Sequence, residues 1–137
     1  MPAASSVVVD ASVALRAIVD ENPEALDWFR RIDDGDVYAV WPQLAYAEIA
    51  NGLATLVRAS RITSRAAVAG LAYAVASAVE AEGLDILVEP ALAMALARSV
   101  SAYDACYIVL AEAGSATLLT ADRRLAAATD HALLLAG

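Results

Sequence analysis

The chain has 137 residues, of which 61% are hydrophobic, and a formal net charge of −8. This length suits one domain with a sizeable core, so we expect residues 1–137 to fold as a single domain. All nine basic residues are arginine, and there is one histidine and one cysteine, which excludes lysine-dependent chemistry and a zinc site.

The first predicted element is a strand at residues 7–9, where three consecutive valines indicate burial on both faces of a sheet. It ends at Asp10, and a helix follows over 11–19. A second helix begins at Asn22-Pro23, because asparagine is a favoured cap and proline a favoured first helical residue. The remaining predicted elements are, in chain order, a strand at 37–41, helices at 42–60 and 63–82, a strand at 84–88, helices from Pro90 and from Ser101 to Gly114, a strand at 117–120, a short helix from Asp122 and a marginal strand at 132–135.

Strands that alternate with helices predict an α/β fold with a mostly parallel sheet of four to five strands, covered by helices on both faces. We expect Trp41 and Cys106 to lie in its core, the latter as a buried thiol. Gly83 is predicted to end the helix at 63–82. The residues predicted to face inward from that helix are Val68, Leu71, Val75 and Val79.

Four acidic residues occupy positions from which this fold can bring them together. Asp10 and Asp122 follow predicted strands, and functional groups in parallel sheets gather beyond the carboxyl ends of strands. Glu48 lies in an apolar helical stretch and shares its helix face with Asn51, and an acid there is costly to bury without a partner. Asp104 lies in the first turn of its helix. Crowded carboxylates need protons or a divalent cation, and oxygen ligands favour Mg²⁺ or Mn²⁺.

Three of the acids also have a plainer interpretation, whereas Glu48, in its apolar stretch, is harder to explain without a partner. An isolated aspartate after a strand, such as Asp10, is more often a helix cap than a functional group. Asp104 is favoured by the helix dipole, and Asp122 before Arg123-Arg124 fits a cap with a surface ion pair. The joint occurrence of all the acids, in an order that lets them converge, favours a shared site.

Four segments carry a resemblance to a known family: Val-Val-Val-Asp10-Ala-Ser12, Glu48-Ile-Ala-Asn51-Gly-Leu53, Ser101-Ala-Tyr103-Asp104-Ala and Leu-Leu-Thr120-Ala-Asp122-Arg-Arg-Leu125. In order and spacing they resemble a PIN domain, and among PIN domains a VapC-type toxin of a bacterial toxin–antitoxin pair. The resemblance covers nearly the whole chain. It implies a three-layer αβα fold with strand order 3-2-1-4-5, and a metal-dependent ribonuclease that cleaves a phosphodiester by attack of water.

The same resemblance assigns the site residues. The implied catalytic and metal-binding acids are Asp10, Glu48, Asp104 and Asp122, with Mg²⁺ or Mn²⁺ as cofactor. The implied polar residues that border them are Ser12, Asn51 and Thr120. Some relatives carry a further acid shortly after the fourth position, where this chain has Arg123 and Arg124, so the number of metal ions stays open.

The net charge of the chain repels nucleic acid, so an RNA substrate must be held locally by metal or by arginine. Arg123 and Arg124 adjoin Asp122 and are the candidate contacts to RNA phosphate. The resemblance also implies a homodimer and a cognate antitoxin, whose tail occupies the active-site groove and brings an arginine to the carboxylates. The longest charge-free stretch, residues 66–79, is too short to cross a bilayer and no secretory signal is apparent, so we expect a cytoplasmic protein with no membrane partner.

Two other function classes stay open on the sequence alone. Aspartyl-phosphate phosphotransfer also uses an aspartate after the first strand, but it needs either a second aspartate where this chain has Ser12, or a lysine. A catalytically silent PIN-like scaffold that binds a protein partner is the stronger alternative, with the acids serving only as helix caps. RNA digestion with Mg²⁺ or Mn²⁺, repeated with a chelator, separates the enzyme from the scaffold.

Overall fold

The computed structural model describes residues 5–136, which build a five-stranded parallel sheet between two layers of helices. The elements in chain order are β1 (Ser6–Val9), α1 (Ala11–Val19), α2 (Pro23–Asp33), β2 (Tyr38–Pro42), α3 (Leu44–Arg58), α4 (Ser64–Ala76), β3 (Glu80–Glu82), α5 (Leu84–Arg98), α6 (Ala102–Ala113), β4 (Thr117–Thr120), α7 (Arg123–Ala126) and β5 (Ala132–Leu134). The strand order is β3-β2-β1-β4-β5, and every neighbouring pair is parallel. The predicted α/β class, layers and strand order are confirmed.

The core is centred on the inner strands of the sheet. Val9 of β1 and Leu119 of β4 are aligned neighbours and both are fully buried, as the unbroken apolar runs predict. Trp41 is also fully buried and packs edge to face on Tyr46, with ring centroids 5.5 Å apart. Cys106 is buried in a smaller cluster between α5 and α6. The predictions that Trp41 and Cys106 lie in the core are therefore confirmed.

The third strand does not lie where the sequence predicts it. Residues 84–88 form the first turns of α5, and β3 is the preceding segment, Glu80–Glu82. A short apolar run suits a helix and a strand equally, and here Leu87 and Ala91, one helical turn apart, are the buried residues of α5. β3 has no apolar signature because it is the edge strand of the sheet and is largely exposed.

Two helix boundaries also differ from the prediction. The helix predicted at 63–82 ends at Ala76, and Gly83 caps the start of α5 rather than ending the helix before it. Pro90 lies inside α5 instead of opening a helix. Pro90 leaves the carbonyl of Ile86 without a helical donor, and Ile86 is an exposed residue.

The buried residues of α4 are small. Of the four residues predicted to face inward, Leu71 packs against the core, and Val79, which lies beyond the end of α4, is buried. Val68 and Val75, predicted to face inward, are 72% and 57% exposed. Gly70 is buried instead, and a Cβ atom at this position would lie 2.3 Å from Cγ2 of Ile18 in α1. The absence of a side chain at Gly70 therefore lets α4 approach α1 closely.

The helices α5 and α6 form a bent pair. Their axes differ by 106° at the break between them, and only together do they have the length and apolar composition of a membrane span. Among residues 5–136, no single helix is long and apolar enough to cross a membrane.

Candidate active site

The candidate site lies at the carboxyl edge of the sheet, where β1 and β4 run side by side. Asp10 follows β1 directly, and its backbone N–H donates to the carbonyl oxygen of Leu119 at 2.9 Å. Asp122 lies two residues after β4, while Glu48 comes from α3 and Asp104 from the first turn of α6. All four side chains line one cavity of about 310 Å³, here called the carboxylate pocket.

Asp10 stands at the N-cap position of α1, but its side chain is held by hydroxyl groups instead of capping the helix. It is 7% exposed, and its Oδ2 accepts hydrogen bonds from Ser12 Oγ at 2.5 Å and Thr120 Oγ1 at 2.8 Å. Its side chain makes no capping bond to α1, so the capping interpretation is wrong for this residue. Burial raises the pKa of Asp10, the two hydroxyl bonds oppose that rise, and the nearby charges of Asp122 and Asp104 add to it.

The same two hydroxyls join the ends of β1 and β4. Ser12 Oγ accepts a hydrogen bond from the backbone N–H of Ala121 at 2.9 Å, and Thr120 Oγ1 accepts one from the N–H of Asp122 at 2.9 Å. The loop after β4 is thus tied to the start of α1 through side chains that also hold Asp10. This network fixes the relative positions of Asp10 and Asp122.

Glu48 has a hydrogen-bond partner, which a carboxylate in apolar surroundings needs. The hydroxyl of Tyr107 donates to Glu48 Oε1 at 2.6 Å. Burial raises the pKa of Glu48, the bond from Tyr107 opposes that rise, and the charges of Asp10 and Asp104 add to it. Asn51, one turn further along α3, lines the same pocket. Tyr107 is not among the sequence-predicted site residues, although the need of a buried tyrosine for a hydrogen-bond partner is a usable signal.

Asp104 and Asp122 share one arginine. Asp122 caps α7, because its Oδ1 accepts a hydrogen bond from the N–H of Arg124 at 2.9 Å. The interpretation of Asp122 as a helix cap therefore holds for this oxygen. Ser101 caps α6 at the N–H of Asp104. Nη2 of Arg124 lies 3.5 Å from Asp104 Oδ2 and 3.9 Å from Asp122 Oδ2. The side chain of Arg124 is 80% exposed, so these ion pairs are weak. Arg123 is exposed and does not line the pocket.

Close packing between α1 and α3 sets the width of the pocket. A Cβ atom on Gly52 would lie 2.7 Å from Cδ1 of Leu15, and both residues line the pocket. Gly52 therefore brings the helix that carries Glu48 close to the helix that follows Asp10.

The donors in the pocket suit a hard divalent cation. They are carboxylate, hydroxyl and amide oxygens, the ligands that Mg²⁺ and Mn²⁺ prefer. As the side chains stand in residues 5–136, no three His, Cys, Asp or Glu groups converge closely enough to hold a metal ion. The guanidinium of Arg124 lies against Asp104 and Asp122, so a cation bound by both carboxylates requires this side chain to move.

The family of the chain follows from comparison with known sequences. The sequence model of the PIN domain family matches residues 7–130. This chain belongs to the PIN domain family. The PIN domain thus covers nearly all of the described residues and both strand ends that carry Asp10 and Asp122. A search of curated proteins finds no match.

Solved structures show the same fold. PAE2754 from Pyrobaculum aerophilum is 25% identical, with a TM-score of 0.73 over 94% of this chain and 90% of that one. VapBC2 from Rickettsia felis, solved bound to a DNA fragment from its promoter, is 12% identical, with a TM-score of 0.65 over 95% of this chain and 97% of that one. FitAcB from Neisseria gonorrhoeae is 18% identical, with a TM-score of 0.58 over 94% and 96%. At 12% and 18% identity, VapBC2 and FitAcB are similar to this chain in fold alone.

Proposed function

We propose that this chain is a divalent-metal-dependent endoribonuclease and the toxin of a type II toxin–antitoxin pair. The carboxylate pocket at the carboxyl edge of the sheet, in a member of the PIN family, is the observation that carries this proposal. The pKa values of Asp10 and Glu48 are both raised in part by neighbouring carboxylates. A divalent cation relieves this repulsion, and oxygen donors favour Mg²⁺ or Mn²⁺.

The residues of the pocket have different proposed roles in hydrolysis. The carboxylates proposed to hold the cation are Asp10, Glu48, Asp104 and Asp122, with Asn51 at the border. Ser12 and Thr120 fix Asp10 through their hydroxyl bonds. When bound, a divalent cation offsets charge on the scissile phosphate and lowers the pKa of a coordinated water. Asp104 or Asp122 orients the attacking water, which loses a proton to solvent as its oxygen bonds to phosphorus. The ester bond to the leaving ribose oxygen breaks, and that oxygen takes up a proton from solvent.

Arginine supplies the local positive charge that an RNA substrate needs on a chain of net charge −8. Arg124 contacts Asp104 in the pocket and the neighbouring Arg123 is exposed, which supports the proposal that both bind RNA phosphate. Phosphate oxygens are good partners for the planar guanidinium fork. A phosphate that draws Arg124 away from Asp104 and Asp122 at the same time opens the carboxylates to the cation.

A cognate antitoxin is the proposed protein partner. Similar folds include VapBC2, FitAcB and a toxin–antitoxin complex from Klebsiella pneumoniae, the last with a TM-score of 0.58 and 13% identity. We propose that the antitoxin tail enters the pocket and places an arginine on the carboxylates. The contacts of Arg124 with Asp104 and Asp122 support this, because they already pair with a guanidinium. Truncating the tail should abolish inhibition of RNA cleavage without abolishing binding of the remaining antitoxin.

We further propose that the chain forms a homodimer and acts in the cytoplasm, where its RNA substrates lie. Four large apolar side chains are exposed on the single helix α5, and such patches are typical of protein interfaces. They are Ile86, Val88, Leu92 and Leu96, with exposed fractions of 62%, 50%, 56% and 76%. Sedimentation equilibrium of the purified chain tests the dimer, and a monomer at micromolar concentration contradicts it.

Digestion of RNA by the purified chain tests the catalytic proposal. We expect cleavage with Mg²⁺ or Mn²⁺, none with a chelator, and a loss of at least about 100-fold in Asp10→Asn and Asp104→Asn, since each removes a charged ligand. Thermal unfolding of each variant checks that it is folded. Wild-type cleavage rates in the double variant would show that the site is assigned wrongly.

A catalytically silent scaffold is the second candidate function. It is favoured by the absence, among residues 5–136, of three metal-ligating groups already in contact, and by the use of Asp122 as a helix cap. On this alternative the chain binds its protein partner and cleaves no RNA under any metal condition. The digest with and without chelator therefore decides between the two candidates.

A further inference from the structure

A buried hydroxyl group connects two of the helices that build the carboxylate pocket. Tyr107 lies on α6, three residues after Asp104, and is 1% exposed. Its hydroxyl donates to Glu48 Oε1 on α3 at 2.6 Å. One side chain thus joins α6, the helix that carries Asp104, to the carboxylate of Glu48 on α3.

Glu48 depends on this contact for its orientation. Its side chain has three rotatable bonds, and Tyr107 is the hydrogen-bond partner described for it within residues 5–136. The bond occupies Oε1 and leaves Oε2 for the pocket. It also opposes the effect of burial and of the neighbouring charges of Asp10 and Asp104, which together raise the pKa of Glu48.

We propose that Tyr107 is a positioning residue: its buried hydroxyl fixes the side chain of Glu48 so that the second carboxylate oxygen faces the divalent cation. This inference rests on the proposed function, because it assigns Glu48 as a ligand. Groups that hold a metal ligand in place typically change metal affinity by about 10–100-fold when they are removed. Tyr107 is buried and contacts the ligand rather than the cation, so it acts through Glu48.

The change that tests this role is Tyr107→Phe, which removes the hydroxyl and keeps the ring in the core. We expect Mn²⁺ binding, measured by titration calorimetry without RNA, to weaken by about 10-fold in the wild-type background. In a Glu48→Gln background the same substitution should cause no further loss, because the ligand that it positions is gone. Tyr103→Phe is the matched control on the same helix, since Tyr103 is 65% exposed and does not line the pocket.

A readout that does not need metal keeps the inference separate from the proposed function. In metal-free protein labelled at the glutamate carboxyl carbons, Tyr107→Phe should shift the NMR resonance of Glu48, and Tyr103→Phe should not. An unchanged resonance, or an unchanged Mn²⁺ affinity in a chain whose wild type binds Mn²⁺, would overturn the role of Tyr107 alone. An equal loss in the Glu48→Gln background would show that Tyr107 acts only on stability, and would also overturn it. A wild type that takes up no Mn²⁺ would overturn the proposed function, and this inference with it.

Discussion

At the scale of single residues, Asp10 is a buried acid whose charge is costly to the metal-free fold. Its carboxylate is almost fully buried beside two other acids, and the bonds from Ser12 and Thr120 offset only part of the cost. A buried anion whose only donors are neutral lowers the stability of a fold. A divalent cation at the proposed site would offset this cost.

We predict that Asp10→Asn stabilises the metal-free protein at pH 8. The pKa of Asp10 is raised in the folded state, so its stabilising contribution is complete below the ordinary value of 3.8 and is lost as the pH rises through the raised value. The amide oxygen still accepts the hydroxyl bonds, and the melting temperature should rise by about 2–8 °C, the effect of roughly 1 kcal/mol in domains of this size. Thermal unfolding with chelator measures the change.

The pH dependence of that gain identifies its cause. The difference between Asp10→Asn and wild type should shrink as the pH falls from 8 towards the ordinary aspartate value of 3.8, because protonation neutralises Asp10 itself. Glu112, whose pKa is lowered by Arg98, is present in both proteins, so its contribution cancels from the difference. Asp36→Asn, at an exposed site, is the control and should show no gain. A destabilised Asp10→Asn at pH 8 would refute the electrostatic account of this residue.

Arg124 is predicted to act on metal and on RNA in opposite directions. Arg124→Gln should strengthen Mn²⁺ binding in the absence of RNA by about 2–5-fold, since an exposed ion pair is worth about 1 kcal/mol at most. The same substitution should weaken RNA binding and reduce the salt slope by about one phosphate contact. Calorimetry and fluorescence anisotropy at several salt concentrations measure the two effects. Arg123→Gln, with no contact to the carboxylates, should change RNA binding alone, and weaker metal binding by Arg124→Gln would contradict the prediction.

The sequence is sufficient to name the acids but not their partners. Asp10 and Asp122 are predictable because each follows an apolar strand, and Glu48 stands out as a charge in an apolar helix. The bond between Tyr107 and Glu48 joins residues 59 positions apart, and no local pattern predicts which helices meet. The contact of Arg124 with Asp104 likewise depends on how α6 and α7 are placed around β4.

At the scale of elements, strand prediction fails at the exposed edge strand β3, whereas the other edge strand, β5, lies within the range predicted for it. The valines of β1 and the apolar run of β4 mark buried central strands, whereas β3 is an edge strand formed by Glu-Ala-Glu. The apolar run after it belongs to α5, whose buried residues, Leu87 and Ala91, are spaced by one helical turn and do not alternate as in a strand. Edge strands take their conformation from the neighbouring strand, here β2, so their own residues carry little signal.

Helix packing around α1 gives a prediction at this scale. Gly70→Ala should destabilise the fold by up to about 2 kcal/mol, because crowding against the branched Ile18 costs about 1–3 kcal/mol and the gain in helix propensity returns only about 1 kcal/mol. Urea unfolding measures the change.

Gly52→Ala is the matched control for this packing. Its Cβ atom meets the terminal methyl of Leu15, which can rotate away, so the two effects should nearly cancel. In an Ile18→Ala background, Gly70→Ala should cease to destabilise. An equal loss with and without Ile18 would show that the close approach of α4 to α1 is not the cause.

At the scale of the whole molecule, the net charge of −8 and the carboxylate pocket belong to one electrostatic problem. Four of the negative charges are gathered where the proposed substrate, itself an anion, must bind. Divalent cations reverse this local charge, and arginine from the chain, or from an antitoxin, competes for the same oxygens. Activity and inhibition would then depend on what occupies one pocket.

Calorimetric titration of the metal-free chain with Mn²⁺ tests this account most directly. We predict uptake of one or two ions per chain at micromolar to millimolar concentration, and a loss of affinity of at least about 10-fold in Asp10→Asn. No uptake by the folded wild-type chain at millimolar Mn²⁺, or equal uptake by Asp10→Asn, would contradict it.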